Sequence, residues 1–145
     1  KTGKFNGTLG DFCDFNNIDL IEEHNCSVPN NTTSRVKMWE KGKQLDYNST
    51  HVNTITTKQD RHPNCGNIKF ENSLYFINKD NKKQLKSQYR FITPRESLKL
   101  MGFEDCDYEA LKRIGMLDTE ILKQAGNSIV ANVLEAIFIQ ILLRH

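Results

Sequence analysis

Four cysteines, Cys13, Cys26, Cys65 and Cys106, are the first residues to weigh for chemistry. A thiolate is both a nucleophile and a metal ligand. No two of them form a Cys-x-x-Cys pair. His24 with Cys26, and His62 with Cys65, could be read as zinc ligands, but His-x-Cys and His-x-x-Cys lack a recognised finger spacing. Disulfides would require an oxidising compartment, and Asn6, Asn25, Asn30, Asn31 and Asn48 each open an Asn-x-Ser/Thr sequon. The chain is so rich in Asn, Ser and Thr that chance sequons are expected. Four cysteines in 145 residues are also sparse for a disulfide scaffold.

Two other groups could bind rather than react. Gly126-Asn127-Ser128 combines a residue that allows close backbone approach with an amide and a hydroxyl that donate hydrogen bonds. Placed at a turn opening the last helix, it would suit a carboxylate; the alternative is simple helix capping. The second group is Thr54, Thr56, Thr57, Lys58, Gln59, Arg61 and Asn64. Threonine can bond phosphate, Arg favours guanine edges, and Gln or Asn favours adenine. The alternative is a run of ordinary strand threonines.

Charge is segregated along the chain. Net charge is −3 over residues 1–34, +7 over 35–90 and −2 over 91–145, within a total of +2. A middle third this basic suggests a surface facing a polyanion, or else a solvated lysine-rich face, among which Lys82, Lys83 and Lys86 belong. Hydrophobic residues make up 37% of the chain, and eight Phe and one Trp are enough to support a core. The most apolar region, Ile129 to Leu143, is interrupted by Asn132, Glu135 and Gln140 and is expected to be too short and polar to span a bilayer. The start, Lys1-Thr2-Gly3-Lys4, has no apolar run of the signal-peptide kind, and the expectation is of an excised or processed fragment.

The elements that must position these groups fall into two parts. Ile18 to Glu23 suits a short helix or strand. The β-branched run Val52 to Thr57, then Ile68-Lys69-Phe70, Leu74 to Ile77 and Tyr89 to Ile92, read as strands. From Thr93 the pattern becomes helical. Thr93 can cap, Pro94 suits the first helical position, Glu96 completes a capping box, and Gly102 can end the helix. Further helices are expected over Tyr108 to Ile114, over Asp118 to Lys123 or Gln124, and, after a tight turn at Ala125-Gly126-Asn127, over Ser128 to Leu143. The last helix is apolar almost all round. Such a helix is normally buried on several sides, so it calls for a missing domain or another copy of the chain.

Two stretches resemble conserved blocks of the DNA (cytosine-5) methyltransferases. Residues 90–103, from Arg90-Phe91-Ile92-Thr93-Pro94-Arg95-Glu96 to Gly102-Phe103, resemble the ninth block, with Lys99 in place of the usual Arg and Glu104 where Pro is common. Lys123-Gln124-Ala125-Gly126-Asn127-Ser128-Ile129-Val130 resembles the tenth, with Ile129 for Val. Their order and spacing also match. Asn53 to Asp60 is similar, more loosely, to the Thr-Leu segment of the family's target-recognition domain, with Ile55 where Leu is usual. The family's Phe-x-Gly-x-Gly cofactor loop, Pro-Cys nucleophile, Glu-Asn-Val and Gln-x-Arg-x-Arg blocks have no counterpart here. The four cysteines follow Phe, Asn, Asn and Asp, so none matches the nucleophile motif and no catalytic residue is assigned.

The resemblance implies an α+β chain: a small, β-rich and loop-rich target-recognition region over residues 1–90, then a helical segment over 91–145 belonging to a Rossmann-like α/β catalytic domain. It implies methylation of cytosine carbon 5 from S-adenosyl-L-methionine in a bacterial-type restriction–modification system, in the cytoplasm. The base would be flipped out of the duplex for attack by a cysteine thiolate in the missing half. On this reading Gly126, Asn127 and Ser128 border the cofactor. Thr54, Thr56, Thr57, Lys58, Gln59, Arg61 and Asn64 face double-stranded DNA. Arg95 and Glu96 hold a structural hinge. No metal is expected, and none of the segments is assigned to a membrane. The partner is a missing N-terminal catalytic domain or subunit, or a second copy through Ser128–Leu143. The alternatives are a stand-alone DNA-binding or regulatory module without catalysis and, more remotely, a secreted glycoprotein domain.

Overall fold

The computed structural model describes residues 7–24, 33–34, 37, 45–52, 54–55, 57, 67–69 and 89–143. The chain divides into two units. One comprises Lys1–Thr54 with Gln59–Ile92, the other Ile55–Lys58 with Thr93–His145.

In the first unit, a 3-10 turn at Leu9–Asp11 is stitched to the loop at 45–49. The amide of Leu9 donates to the Ser49 carbonyl at 2.7 Å and that of Gly10 to the Tyr47 carbonyl at 3.0 Å. Gly10 admits the Tyr47 ring directly, since a Cβ there would lie 2.4 Å from Tyr47 Cε2. Phe15 meets the same ring edge-on at 5.5 Å. Helix α1 spans Ile18–His24, and the Asn17 side chain caps it by accepting from the Leu20 amide at 3.2 Å. Strand β1, Asn67–Lys69, pairs antiparallel with β2, Tyr89–Phe91, and Ile68 stands opposite Arg90. Leu45 adds an isolated parallel bridge to Ile68. Leu9, Cys13, Phe15, Ile21, Leu45, Ile68 and Ile92 are buried.

The expected β-rich region is only partly present. Among the described residues it amounts to β1 and β2. Val52, Thr54 and Ile55 are not in a strand and Thr57 lies in a bend, so the strand expected over Val52–Thr57 is not formed at these positions. The reason is the destination of Ile55, which is buried in a helical core rather than on a sheet face. The strand expected at Leu74–Ile77 lies outside the described residues.

The second unit is helical: α2 Pro94–Leu100, α3 Asp105–Arg113, α4 Asp118–Asn127 and α5 Ala131–Leu142. Helices α2, α3 and α4 start by the same device. An acid in the first turn reaches back to the amide of the capping residue: Glu96 to Thr93 at 2.8 Å, Asp107 to Glu104 at 2.8 Å and Glu120 to Leu117 at 2.9 Å. Each bond satisfies an amide that the helix itself leaves unpaired and puts negative charge at the positive helix end. Gly102, with φ at 87°, follows α2 in the left-handed region, as expected of a helix-ending glycine. The core consists of Ile55, Leu98, Met101, Ile121 and Ala125, with Phe103, Tyr108, Leu111 and Val130 packed against it.

Three expectations about these helices need correction. Helix α3 starts at Asp105 rather than Tyr108, because Asp107 supplies its cap. Helix α4 does not stop at Lys123 or Gln124. Ile121 and Ala125 are one helical turn apart and both fully buried, and this packing carries the helix through Gly126 to Asn127. The last helix therefore starts at Ala131, not Ser128. By length and composition Asp118–Leu142 would suffice to cross a membrane. It is not one helix, however, because Ser128, Ile129 and Val130 interrupt it, and neither α4 nor α5 alone approaches the roughly 20 residues a span needs.

Candidate functional site

Gly126 and Asn127 are the last residues of α4, and Ser128 is its C-cap, its amide donating to the Ala125 carbonyl at 3.2 Å. The tight turn expected at Ala125-Gly126-Asn127 is thus displaced by one step, to Ser128–Val130. Gly126 is half-buried, Asn127 is exposed and Ser128 is half-buried. The Ser128 hydroxyl donates to the Ile129 carbonyl at 3.0 Å. No side chain caps the start of α5, and its N-cap is Val130. The turn therefore presents an exposed carboxamide and a hydroxyl, beside a helix start whose first amide, of Ala131, donates to the Met101 carbonyl at 2.9 Å. The carboxamide and hydroxyl are hydrogen-bonding groups suited to a carboxylate or a ribose, so the residues present fit the carboxylate and ribose of a cofactor such as S-adenosylmethionine.

Thr54 and Thr57 are exposed and flank buried Ile55. Ile55 shares its core with Ala125, the residue before Gly126. One apolar cluster thus holds both Ile55 and Ala125. Thr56, Lys58, Gln59, Arg61 and Asn64 lie outside the described residues.

Arg95 and Glu96 are neighbours with different surroundings. Glu96 is buried and completes the capping box with Thr93. Arg95 is exposed and reaches α3, where it pairs with Asp105 at 3.4 Å and with Glu109, and stacks over the Tyr108 ring at 4.6 Å. Both contacts lie within the helical unit. With two carboxylates beside it, Arg95 is a neutralised clasp between helices.

A residue with no separate assignment in the sequence reading is Arg90. It is fully buried, its Nη2 donating to the Asp14 carbonyl at 2.7 Å and its Nη1 to the Phe91 carbonyl at 2.9 Å. The guanidinium ties β2 to a loop 76 residues away. Its signals were a charge inside the strand expected over Tyr89 to Ile92 and its place at the head of the ninth-block stretch. Cys13 is buried and Cys106 exposed. Among the described residues no group of His, Cys, Asp and Glu could hold a metal ion.

Residues 8–143 match the profile of the family described as C-5 cytosine-specific DNA methylase. The orphan methyltransferase M.Rho11sI of Bacillus phage rho11s is 42% identical over 53 residues, which is 37% of this chain and 10% of that protein. The type II methyltransferase M2.ScrFI of Lactococcus lactis subsp. cremoris is 45% identical over 49 residues, 34% of this chain and 13% of that protein. The matches therefore span about a tenth of these relatives' length. The crystal structure of the S. pombe Dnmt2 methyltransferase shares the fold, with a TM-score of 0.63 at 16% identity, covering 95% of this chain and 42% of that one. The family profile covers nearly the whole chain, and the chain belongs to the C-5 cytosine-specific DNA methylase family.

Proposed function

We propose that this chain is the target-recognition and C-terminal part of a DNA (cytosine-5) methyltransferase of a restriction–modification system. It would work with an amino-terminal part that carries the nucleophile and most of the cofactor pocket. Its division of labour follows residues 1–90 for DNA recognition and 91–145 for the cofactor side. Gly126, Asn127 and Ser128 form one wall of the S-adenosylmethionine site, which supplies the methyl group. Thr54 and Thr57, with Thr56, Lys58, Gln59, Arg61 and Asn64, face double-stranded DNA. Arg95 and Glu96 fix the start of the helical segment.

The observation that supports this best is the burial of Ile55 and Ala125 in one core. It anchors Ile55, in the stretch proposed to face DNA, and Ala125, the residue before the proposed cofactor turn, in the same packed cluster. Helix α5 supports the need for an amino-terminal part. Val133, Ile137, Phe138, Ile139, Ile141 and Leu142 are all exposed along it, an apolar surface that calls for cover.

The test is transfer of tritiated methyl groups to DNA. The chain alone is expected to transfer none. Joined to an amino-terminal part that carries the Phe-x-Gly-x-Gly and Pro-Cys blocks, it should transfer them, and the double substitution Asn127→Ala/Ser128→Ala should weaken cofactor binding. Transfer by the purified chain alone would overturn the reading.

A further inference from the structure

We propose that Gly102 is a positioning residue for the cofactor turn: the end of α2 serves as the seat on which α5 begins, and it thereby fixes where Asn127 and Ser128 face. This rests on the cofactor reading of Gly126–Ser128. Helices α2, α3 and α4 each carry an acid that caps their own start. Helix α5 has Val130 at its N-cap and Val133 in the matching position, and no side chain caps it. Its first amide, of Ala131, instead donates to the carbonyl of Met101 at 2.9 Å. The start of α5 is capped by the backbone of another helix.

The seat is close-fitting. A Cβ on Gly102 would stand 3.3 Å from the Ala131 Cβ and 3.2 Å from Asn132 Oδ1, so one methyl group would press on the first turn of α5. Met101 is buried in the same core as Ala125. Both ends of the linker Ser128–Val130 are therefore tied to one packed cluster: through Ala125 on one side and through the Met101 carbonyl on the other. A linker this short passes any displacement of Ala131 directly to Ser128. The positive φ of Gly102 is what turns the chain after α2 and leaves this carbonyl facing α5.

The test measures S-adenosylmethionine affinity by calorimetry in the complete enzyme, this chain together with its amino-terminal part. Gly102→Ala is expected to weaken binding about tenfold, because small misplacements of binding groups cost that much or more, while DNA affinity is unchanged. Adding Ala131→Gly removes the opposing methyl and should restore most of the loss, which relief of backbone strain at Gly102 could not explain. Ala131→Val presses on the seat from the other side without touching the Gly102 backbone. It should reproduce the loss even if Gly102→Ala fails to fold. In the chain itself, amide exchange at Ala131 should quicken in Gly102→Ala while Ile121 keeps its protection. Wild-type cofactor affinity in Gly102→Ala or Ala131→Val, with Asn127→Ala/Ser128→Ala still weakened, would overturn this inference and leave the cofactor reading standing. Unchanged affinity in Asn127→Ala/Ser128→Ala would overturn both.

Discussion

Thr93 and Glu96 satisfy each other's backbone amides: Glu96 N–H donates to Thr93 Oγ1 at 3.2 Å, and Thr93 N–H donates to Glu96 Oε2 at 2.8 Å. Both side chains are buried, so water cannot replace either bond. Loss of such a cap costs about 1 kcal/mol, and leaving a buried amide unpaired adds to it. Thr93→Ala and Glu96→Ala should therefore each destabilise the chain by roughly 1–3 kcal/mol. Glu96→Gln keeps an oxygen acceptor and should lose less. Urea unfolding monitored by circular dichroism checks the order.

Arg95 should behave differently from its neighbour. Its ion pairs with Asp105 and Glu109 are solvent-exposed and screened, and its stacking on Tyr108 is of the exposed kind. Arg95→Ala is expected to cost less than about 1 kcal/mol, with the difference shrinking at high salt. Melting curves at low and high ionic strength measure this. A salt-independent loss as large as that of Glu96→Ala would show that Arg95 is structural in a way its exposed contacts do not explain.

The basic middle third should bind DNA weakly and with steep salt dependence. Net charge over residues 35–90 is +7, and each phosphate neutralised releases counterions, so log affinity falls with log salt. Lys58→Ala/Arg61→Ala should weaken binding in an anisotropy titration and flatten the slope by about two. Equal affinity in wild type and variant would remove residues 54–61 from the DNA-facing surface.

What the sequence made legible was mostly local. Thr93, Pro94, Glu96 and Gly102 act within a few residues of themselves, and α2 has the cap, start and stop they imply. The less legible parts depend on distant packing. Gly126 looked like a helix terminator, but burial of Ile121 and Ala125 in a shared core carries α4 past it. The β-branched residues around Ile55 favoured a strand, but Ile55 is held by helices. Arg90 has a partner, Asp14, that no local pattern indicates. The turn expected at Ala125-Gly126-Asn127 lies instead at Ser128–Val130, between the end of α4 and a helix start held by the distant Met101 carbonyl.

Helix α5 should drive association of the isolated chain. Phe138 is 59% exposed and Leu142 74% exposed. Leaving such side chains in water forgoes roughly 1.5–3 kcal/mol each. Phe138→Glu/Leu142→Glu should abolish a dimer in analytical ultracentrifugation while the first unit stays folded. A compact wild-type monomer at tens of micromolar that binds no apolar dye would contradict this.

The central claim is that this chain serves cytosine-5 methylation of DNA, and bisulfite sequencing tests it most directly. DNA from cells carrying the complete gene should show conversion-resistant cytosines within one short sequence. They should disappear when Asn127 and Ser128 are both changed to Ala while the protein persists at normal level. Full conversion of every cytosine in cells that contain the intact protein would contradict the account.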